Sequence, residues 1–294
     1  VRYWPRRPVA ETRFMTASPI EHAGLDDSVL IVAHPDDEIL WFGSVVNRVD
    51  RIVICFLHDP GNAALADNRR RVLAEHPLRD RIECLELEET RAFGHADWIH
   101  PVETESGLDI ERDQSVVSDY RERARQLETL LRPHIDGARN IFTHNPWGEY
   151  GHEEHVMVHR VVAALVGNDD ARAIWFSNYA SSWSTRLMQR HLTTDDTPVF
   201  NGDVDVALME GIAGIYRRCD AWTWFDDYRW FEKEYFVQGP LEARPQPGFG
   251  WLFPVNLIHL PDRVAPRPAP GLLERARGFL RRRLGRRQGN AEKG

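Results

Sequence analysis

Lysine is almost missing from this 294-residue chain. Of 37 basic residues only Lys233 and Lys293 are lysine, and the rest are arginine. That bias reads as a coding signature more than as a functional one, although the two cations differ in chemistry. Cysteine is scarce as well. Cys55, Cys84 and Cys219 are too few for a disulfide scaffold and lack metal-pair spacing, which leaves them as buried thiols. No run approaches the ~20 apolar residues of a membrane span. The N-terminal arginines Arg2, Arg6 and Arg7 are not followed by an apolar stretch, which argues against a signal peptide. G-x-G-x-x-G, the Walker A pattern and G-x-S-x-G are all absent, so dinucleotide, nucleoside triphosphate and serine-hydrolase chemistry lose ground. Excess positive charge is missing too: the net charge is −8, and no nucleic-acid partner is expected. The chain reads as a soluble cytoplasmic protein.

The apolar fraction, 42%, is enough for a packed core. Its charge is unevenly placed. Residues 274–294 carry seven arginines, one lysine and two glutamates, so this tail is +6 and the remainder −14. The division expected is an N-terminal arm (1–27), a main domain (28–260) whose part 185–260 is less regular, and a proline-rich linker with a basic tail (261–294). The tail, 271–294, has amphipathic spacing. It reads either as a solubilising terminus or as a peripheral contact with an anionic membrane.

Short β-branched runs at 29–33, 52–57, 140–143 and 173–176 read as buried strands. Helical spacing is expected over 38–47, 64–75, 82–90, 116–131, 152–166 and 205–218. Strands alternating with helices predict an α/β fold: a Rossmann-like, mostly parallel sheet with helices on both faces. Ligands of such sheets bind beyond the carboxyl ends of the strands. Two segments rich in imidazole and carboxylate fall there. His34-Pro35-Asp36-Asp37-Glu38 follows the first strand, and His144 to His155 follows the third. Both suit Zn²⁺ or another divalent transition metal such as Fe²⁺.

Val32-Ala33-His34-Pro35-Asp36-Asp37-Glu38, with the distant Tyr150-Gly151-His152-x-x-His155, resembles the PIG-L/LmbE family of zinc-dependent N-acetylglucosaminyl deacetylases. The resemblance covers about residues 28–180. It implies metal ligation by His34, Asp37 and His155, with a fourth position left to water. It implies Asp36 as general base and then acid, His152 as oxyanion stabiliser, and Tyr150 as a further donor to the carbonyl. Glu154 stands where the family has aspartate and is expected to orient His152 as an imidazolium. The implied reaction removes the N-acetyl group of an N-acetylglucosamine-type sugar within a glycolipid, thiol-sugar, antibiotic or polysaccharide precursor. The alternatives are an amidase for a larger acyl group and a non-catalytic metal-containing glycan binder.

Other residues stay open at this stage. His144 either lines the cleft or packs, and His159 reads as structural. Any of Arg69, Arg70 and Arg71 could meet sugar hydroxyls, against a solvated helix face. Glu105-Ser106-Gly107 resembles an acidic Ser-Gly segment of thiol-pathway relatives. The aromatic stretch 221–231 reads as a substrate-side wall, or else as core.

Overall fold

The computed structural model describes residues 25–191, 199–239 and 255–260. The expected linker and tail, and most of the N-terminal arm, lie outside the described residues. In chain order the strands and helices are β1 (Ser28–Val32), α1 (Asp37–Leu40), β2 (Arg51–His58), α2 (Ala63–Glu75), β3 (Ile82–Glu88), β4 (Glu103–Thr104), β5 (Gly107–Leu108), α3 (Gln114–Ile135), β6 (Asn140–Thr143), α4 (Glu153–Val166), β7 (Ala173–Ser177), β8 (Tyr179–Ser181), α5 (Thr185–His191), β9 (Val199–Asp203), α6 (Val206–Arg218), β10 (Lys233–Gly239) and β11 (Asn256–Ile258).

Seven strands form one sheet in the order β3-β2-β1-β6-β7-β10-β9. The first five run parallel, and β10 lies antiparallel to both β7 and β9. The parallel strands are continuous apolar runs because both faces are covered. Alternation divides them. Leu30, Val32, Ile52 and Ile54 face Leu65 and Val72 of α2 and Met209 and Ile212 of α6. Val29, Ile31, Val53 and Ile141 face Leu127 and Leu131 of α3 and Met157 and Val161 of α4. Helices on both faces of a mostly parallel sheet are the architecture the patterning predicts.

The chain moves outward from β1 to β2 and β3, then returns to place β6 on the other side of β1. The loops leaving β1 and β6 therefore diverge at their carboxyl ends and open a crevice, the usual ligand position of such sheets. The loop after β1 carries 34–38 and that after β6 carries 144–155.

Two expected helices differ. The helix over 38–47 is only one turn, because the backbone N–H groups of Gly43 and Ser44 are taken by the buried carboxylate of Glu234 on β10, at 3.1 and 2.8 Å. Residues 82–88 form strand β3 and not a helix. Glu-rich composition favours a helix there, but pairing with β2 along the sheet edge prevails. The irregular stretch after 185 supplies β9 and β10 to the sheet. Cys55 and Cys219 are buried and Cys84 half-buried, all as free thiols.

Candidate metal centre and cleft

The loop after β1 turns sharply at Asp36, whose φ of 95° is left-handed for a residue that is not glycine. Asp36 N–H donates to Glu38 Oε2 (2.8 Å), and Glu38 Oε1 accepts from Tyr216 of α6 (2.7 Å). The turn sends the two neighbouring carboxylates in different directions. Asp37 Oδ1 accepts from Trp41 Nε1 (2.8 Å), and Asp37 Oδ2 accepts from His34 N–H (2.8 Å).

The loop after β6 folds by a side-chain turn: Asn145 Oδ1 accepts from Trp147 N–H and Glu149 N–H. Gly148 follows with φ +66°, where an added Cβ would lie 2.5 Å from His152 O, so only glycine fits. His152 caps α4, its Nδ1 accepting from Glu154 N–H (3.2 Å). His152 and His155 are thus set on the face of α4 that looks into the crevice.

Two histidines take matching roles around Asp37. His34 Nδ1 lies 3.2 Å from Asp37 Oδ2, and its Nε2 lies 2.8 Å from Glu154 Oε2. His155 Nε2 lies 3.3 Å from the same Asp37 oxygen, and its Nδ1 lies 2.7 Å from Glu149 Oε2. Each outer nitrogen faces a carboxylate that takes its proton in a hydrogen bond. Each inner nitrogen turns to the same Asp37 oxygen, an arrangement that orients histidine ligands of metals. His155 Nε2 is buried and has no hydrogen-bond partner, which is costly unless a cation occupies its lone pair. The donor set of His34, Asp37 and His155 therefore fits a divalent metal. Three-donor groups that share these residues are His34, His152 and His155; Asp37, His144 and His155; and His34, Glu89 and Glu154.

Electrostatics separate the two aspartates. Burial works against the Asp37 charge, yet His155, His144 and His34 hold it well below the usual carboxylate range. Burial and then the Asp37 charge push Asp36 up to about 8. Divergent carboxylates of this kind mark acid/base sites. Burial pushes His152 well below its ordinary value, and the neighbouring His155 and His34 rings add to the shift.

Asp36, Asp37, His34, Tyr150 and His152 all line one cavity of about 460 Å³, with His155 behind them. Glu154 does not play its expected part. Its carboxylate bonds His34 and Thr90 N–H, and its link to His152 runs through the backbone. The extra methylene of glutamate carries the carboxylate across to the first loop, and His152 is left as a neutral imidazole whose Nε2 bears the proton.

Three residues were missed by sequence reasoning. Glu149 is fully buried and accepts from His144, His155, Asn145 N–H and Ser177. Despite burial, His144 and His155 hold it at about 2. Its place directly before Tyr150-Gly151-His152 was the available signal. Phe93 is 44% exposed and stacks on His152 with centroids 4.6 Å apart, and nothing in its neighbourhood marked it. Thr223 reaches Asp36 from the aromatic stretch.

Among the three arginines, Arg69 is buried, lines the cavity and bonds Glu89 and Leu57 O, whereas Arg70 is half-buried, does not line the cavity and pairs with Glu86 and Asp67. Arg71 points to Asn68 and Cys219 O. His144 sits beneath the centre, stacked on His155 at 3.8 Å, with Ala33 N–H donating to its Nε2. His159 bonds His144 O (2.7 Å). Glu105-Ser106-Gly107 spans the β4–β5 hairpin and does not line the cavity. Trp224 and Phe225 of the aromatic stretch do line it. No helix among the described residues is long and apolar enough to cross a membrane.

Comparison with known proteins agrees with this geometry. Residues 29–166 match the family model described as PIG-L, GlcNAc-PI de-N-acetylase. The chain is 28% identical over 163 residues to 1D-myo-inositol 2-acetamido-2-deoxy-α-D-glucopyranoside deacetylase 1 of Saccharopolyspora erythraea, covering 46% of this chain and 52% of that protein. It is 26% identical to the deacetylase of the same substrate name in Mycolicibacterium vanbaalenii, covering 61% and 73%, and 24% identical to that of Mycolicibacterium gilvum, covering 66% of each. The first of these is thus matched over about half its length. The matched stretch, residues 29–166, holds both loops of the candidate metal centre and is similar to the PIG-L family over that length.

Proposed function

We propose that the chain is a metal-dependent hydrolase that removes the N-acetyl group from an N-acetylglucosamine-type sugar within a larger conjugate. The observation that carries this reading is the pair His34 and His155. Both turn their inner nitrogen toward one Asp37 oxygen while their outer nitrogens are held by Glu154 and Glu149. Three protein donors would hold a divalent cation, zinc being the best match to this set. When bound, that cation supplies Lewis-acid polarisation and an acidified water.

The remaining chemistry belongs to side chains. Asp36, next to Asp37 and lining the cavity, takes a proton from the attacking water and returns it to the departing amine. Water oxygen bonds the acetyl carbon, the C–N bond breaks, and acetate and the free amino sugar leave. Neutral His152 donates from Nε2 to the carbonyl oxygen as negative charge develops on it, and the Tyr150 hydroxyl is a second donor. Glu154 acts on His34, fixing its ring. Arg69, Asp59 and Asp226 offer polar groups to sugar hydroxyls along the cavity, whose size suits one sugar ring with its acyl arm.

The test is acetate release from 1D-myo-inositol 2-acetamido-2-deoxy-α-D-glucopyranoside and from simpler N-acetylglucosamine conjugates, with metal analysis of the same preparation. Acetate and free amine in equal amounts, abolished by chelation and restored by zinc, is the expected result. Tight glycan binding with no carboxylate released would overturn it. A preference for longer acyl groups would move the reading to an amidase.

A further inference from the structure

Asp36 is held by a residue 187 positions away in sequence. Thr223 Oγ–H donates to Asp36 Oδ2 at 2.6 Å, and Thr223 N–H points to the same oxygen at 3.4 Å. Among the described residues, no donor is placed on Oδ1. Asp36 is 3% exposed, whereas Thr223 is itself exposed. Its hydroxyl therefore has water available and does not need Asp36 to be satisfied. The bond matters for the carboxylate.

Thr223 is no loose rim residue. The stretch around it is fastened to the same helix that begins at Asp36. Tyr228 Oη–H donates to Leu40 O (3.2 Å), and Trp230 Nε1–H donates to Ile39 O. Trp224 meets Trp41 edge-on with centroids 5.2 Å apart. On the other side Ala221 N–H donates to Tyr216 O, and Tyr216 in turn bonds Glu38, which holds Asp36 N–H. Backbone and side chain of Asp36 are thus gripped by one continuous frame. Two donors on one oxygen also fix the carboxylate rotation, which leaves the other oxygen to handle a proton.

We propose that Thr223 is a positioning residue for Asp36: its hydroxyl pins Oδ2 so that Oδ1 alone serves as the proton-accepting oxygen. This rests on the reading of Asp36 as the general base. The consequence is a base whose orientation is set by the strand-poor region 204–231, outside the stretch matched to the family, and not by the motif loop alone.

The experiment compares metal-loaded full-length Thr223→Val, Thr223→Ser and Asp36→Asn for acetate release, KM, metal content and thermal midpoint. Valine keeps the shape and removes the donor, and Thr223 is exposed, so the fold tolerates it. Thr223→Val should lower kcat about tenfold, the scale of one hydrogen bond to a charged acceptor. KM should stay within about twofold, and metal content and midpoint should match the parent, because only the transition state needs the aligned oxygen. Thr223→Ser should recover most of kcat. Parental kcat in Thr223→Val, or a serine variant as slow as the valine one, would overturn the proposal. If Asp36→Asn itself turned over at the parental rate, the general-base reading would fall first, and with a different signature.

Discussion

The parallel half of the sheet and its antiparallel edge do different work. The parallel half ends in two short motif loops at the divergence of β1 and β6, and these bring His34, Asp37 and His155 around one point. The antiparallel edge, β10 and β9, with α6 and the aromatic stretch 221–231, brings no donor to that point. It contributes Trp224, Phe225 and Thr223 to the cavity and braces the motif helix from outside. The difference teaches that the candidate metal donors come from one half, while the other supplies cavity wall and a single bond, from Thr223, to Asp36. A reaction centre needs a few groups at fixed spacing, which short loops on a parallel sheet provide.

If that separation is right, substitutions in the two halves should fail differently. The largest effect belongs to the motif loops. Asp36→Asn should lower kcat by about 10²–10⁴, the usual contribution of general acid–base catalysis, while the protein keeps its metal. His155→Ala should instead lose metal, read by elemental analysis after dialysis. A full complement of metal in His155→Ala would break the ligand assignment.

Glu149→Gln comes next. It keeps the size of the side chain but replaces one acceptor oxygen by a donor amide among four converging donors. Metal affinity should fall about 10–100-fold, as for other carboxylates that orient histidine ligands. A competitive chelator titration measures it. An unchanged affinity would mean that His155 is fixed by packing alone.

The contrast also explains what was legible in the sequence. Buried strands and the two loops could be read because each signal is local: a β-branched run, then histidine and carboxylate within a few residues. Glu149 was local too but carried no signature of its own until Gly148 and Asn145 were seen to fold the loop back on it. Thr223 and Phe93 were not legible, because their roles come from approach across the fold. The errors over 38–47 and 82–90 have the same origin. Glu234 takes the N–H groups that would continue the first helix, and β2 recruits the second segment as an edge strand. Local pattern was overruled by distant partners in both.

For the wall, Trp224→Ala should raise KM about fivefold to tenfold and leave kcat within about twofold, because stacking of a flat face on a sugar binds ground and transition states alike. Trp224 packs on Tyr150 (centroids 4.8 Å) and on Trp41 (5.2 Å). The discriminating outcome is therefore the ratio of the two kinetic effects. A drop in kcat larger than the rise in KM would show that the wall also shapes the reaction centre through Tyr150, and the separation would need redrawing.

The smallest effect tests the seam between the halves. Glu234 on β10 is fully buried and accepts from Gly43 N–H, Ser44 N–H and hydroxyl, and Tyr179 Oη–H. Burial nevertheless raises its pKa, with the Ser44, Tyr179 and Gly43 bonds only partly offsetting that. A carboxyl raised in the folded state binds protons more tightly there than in the unfolded chain. Its contribution to stability is complete below the unfolded value and declines as pH rises through the folded one. Glu234→Gln removes the titration but turns an amide donor toward this ring of donors, so the variant should be less stable than the parent at every pH where both fold. The gap in thermal midpoint should be widest near pH 5 and should narrow toward pH 8, as the parent loses the protonated form that the seam favours. A gap that widens with pH would mean that the four donors stabilise the charge outright, and that the seam is an anion site holding the two halves together by electrostatics more than by shape.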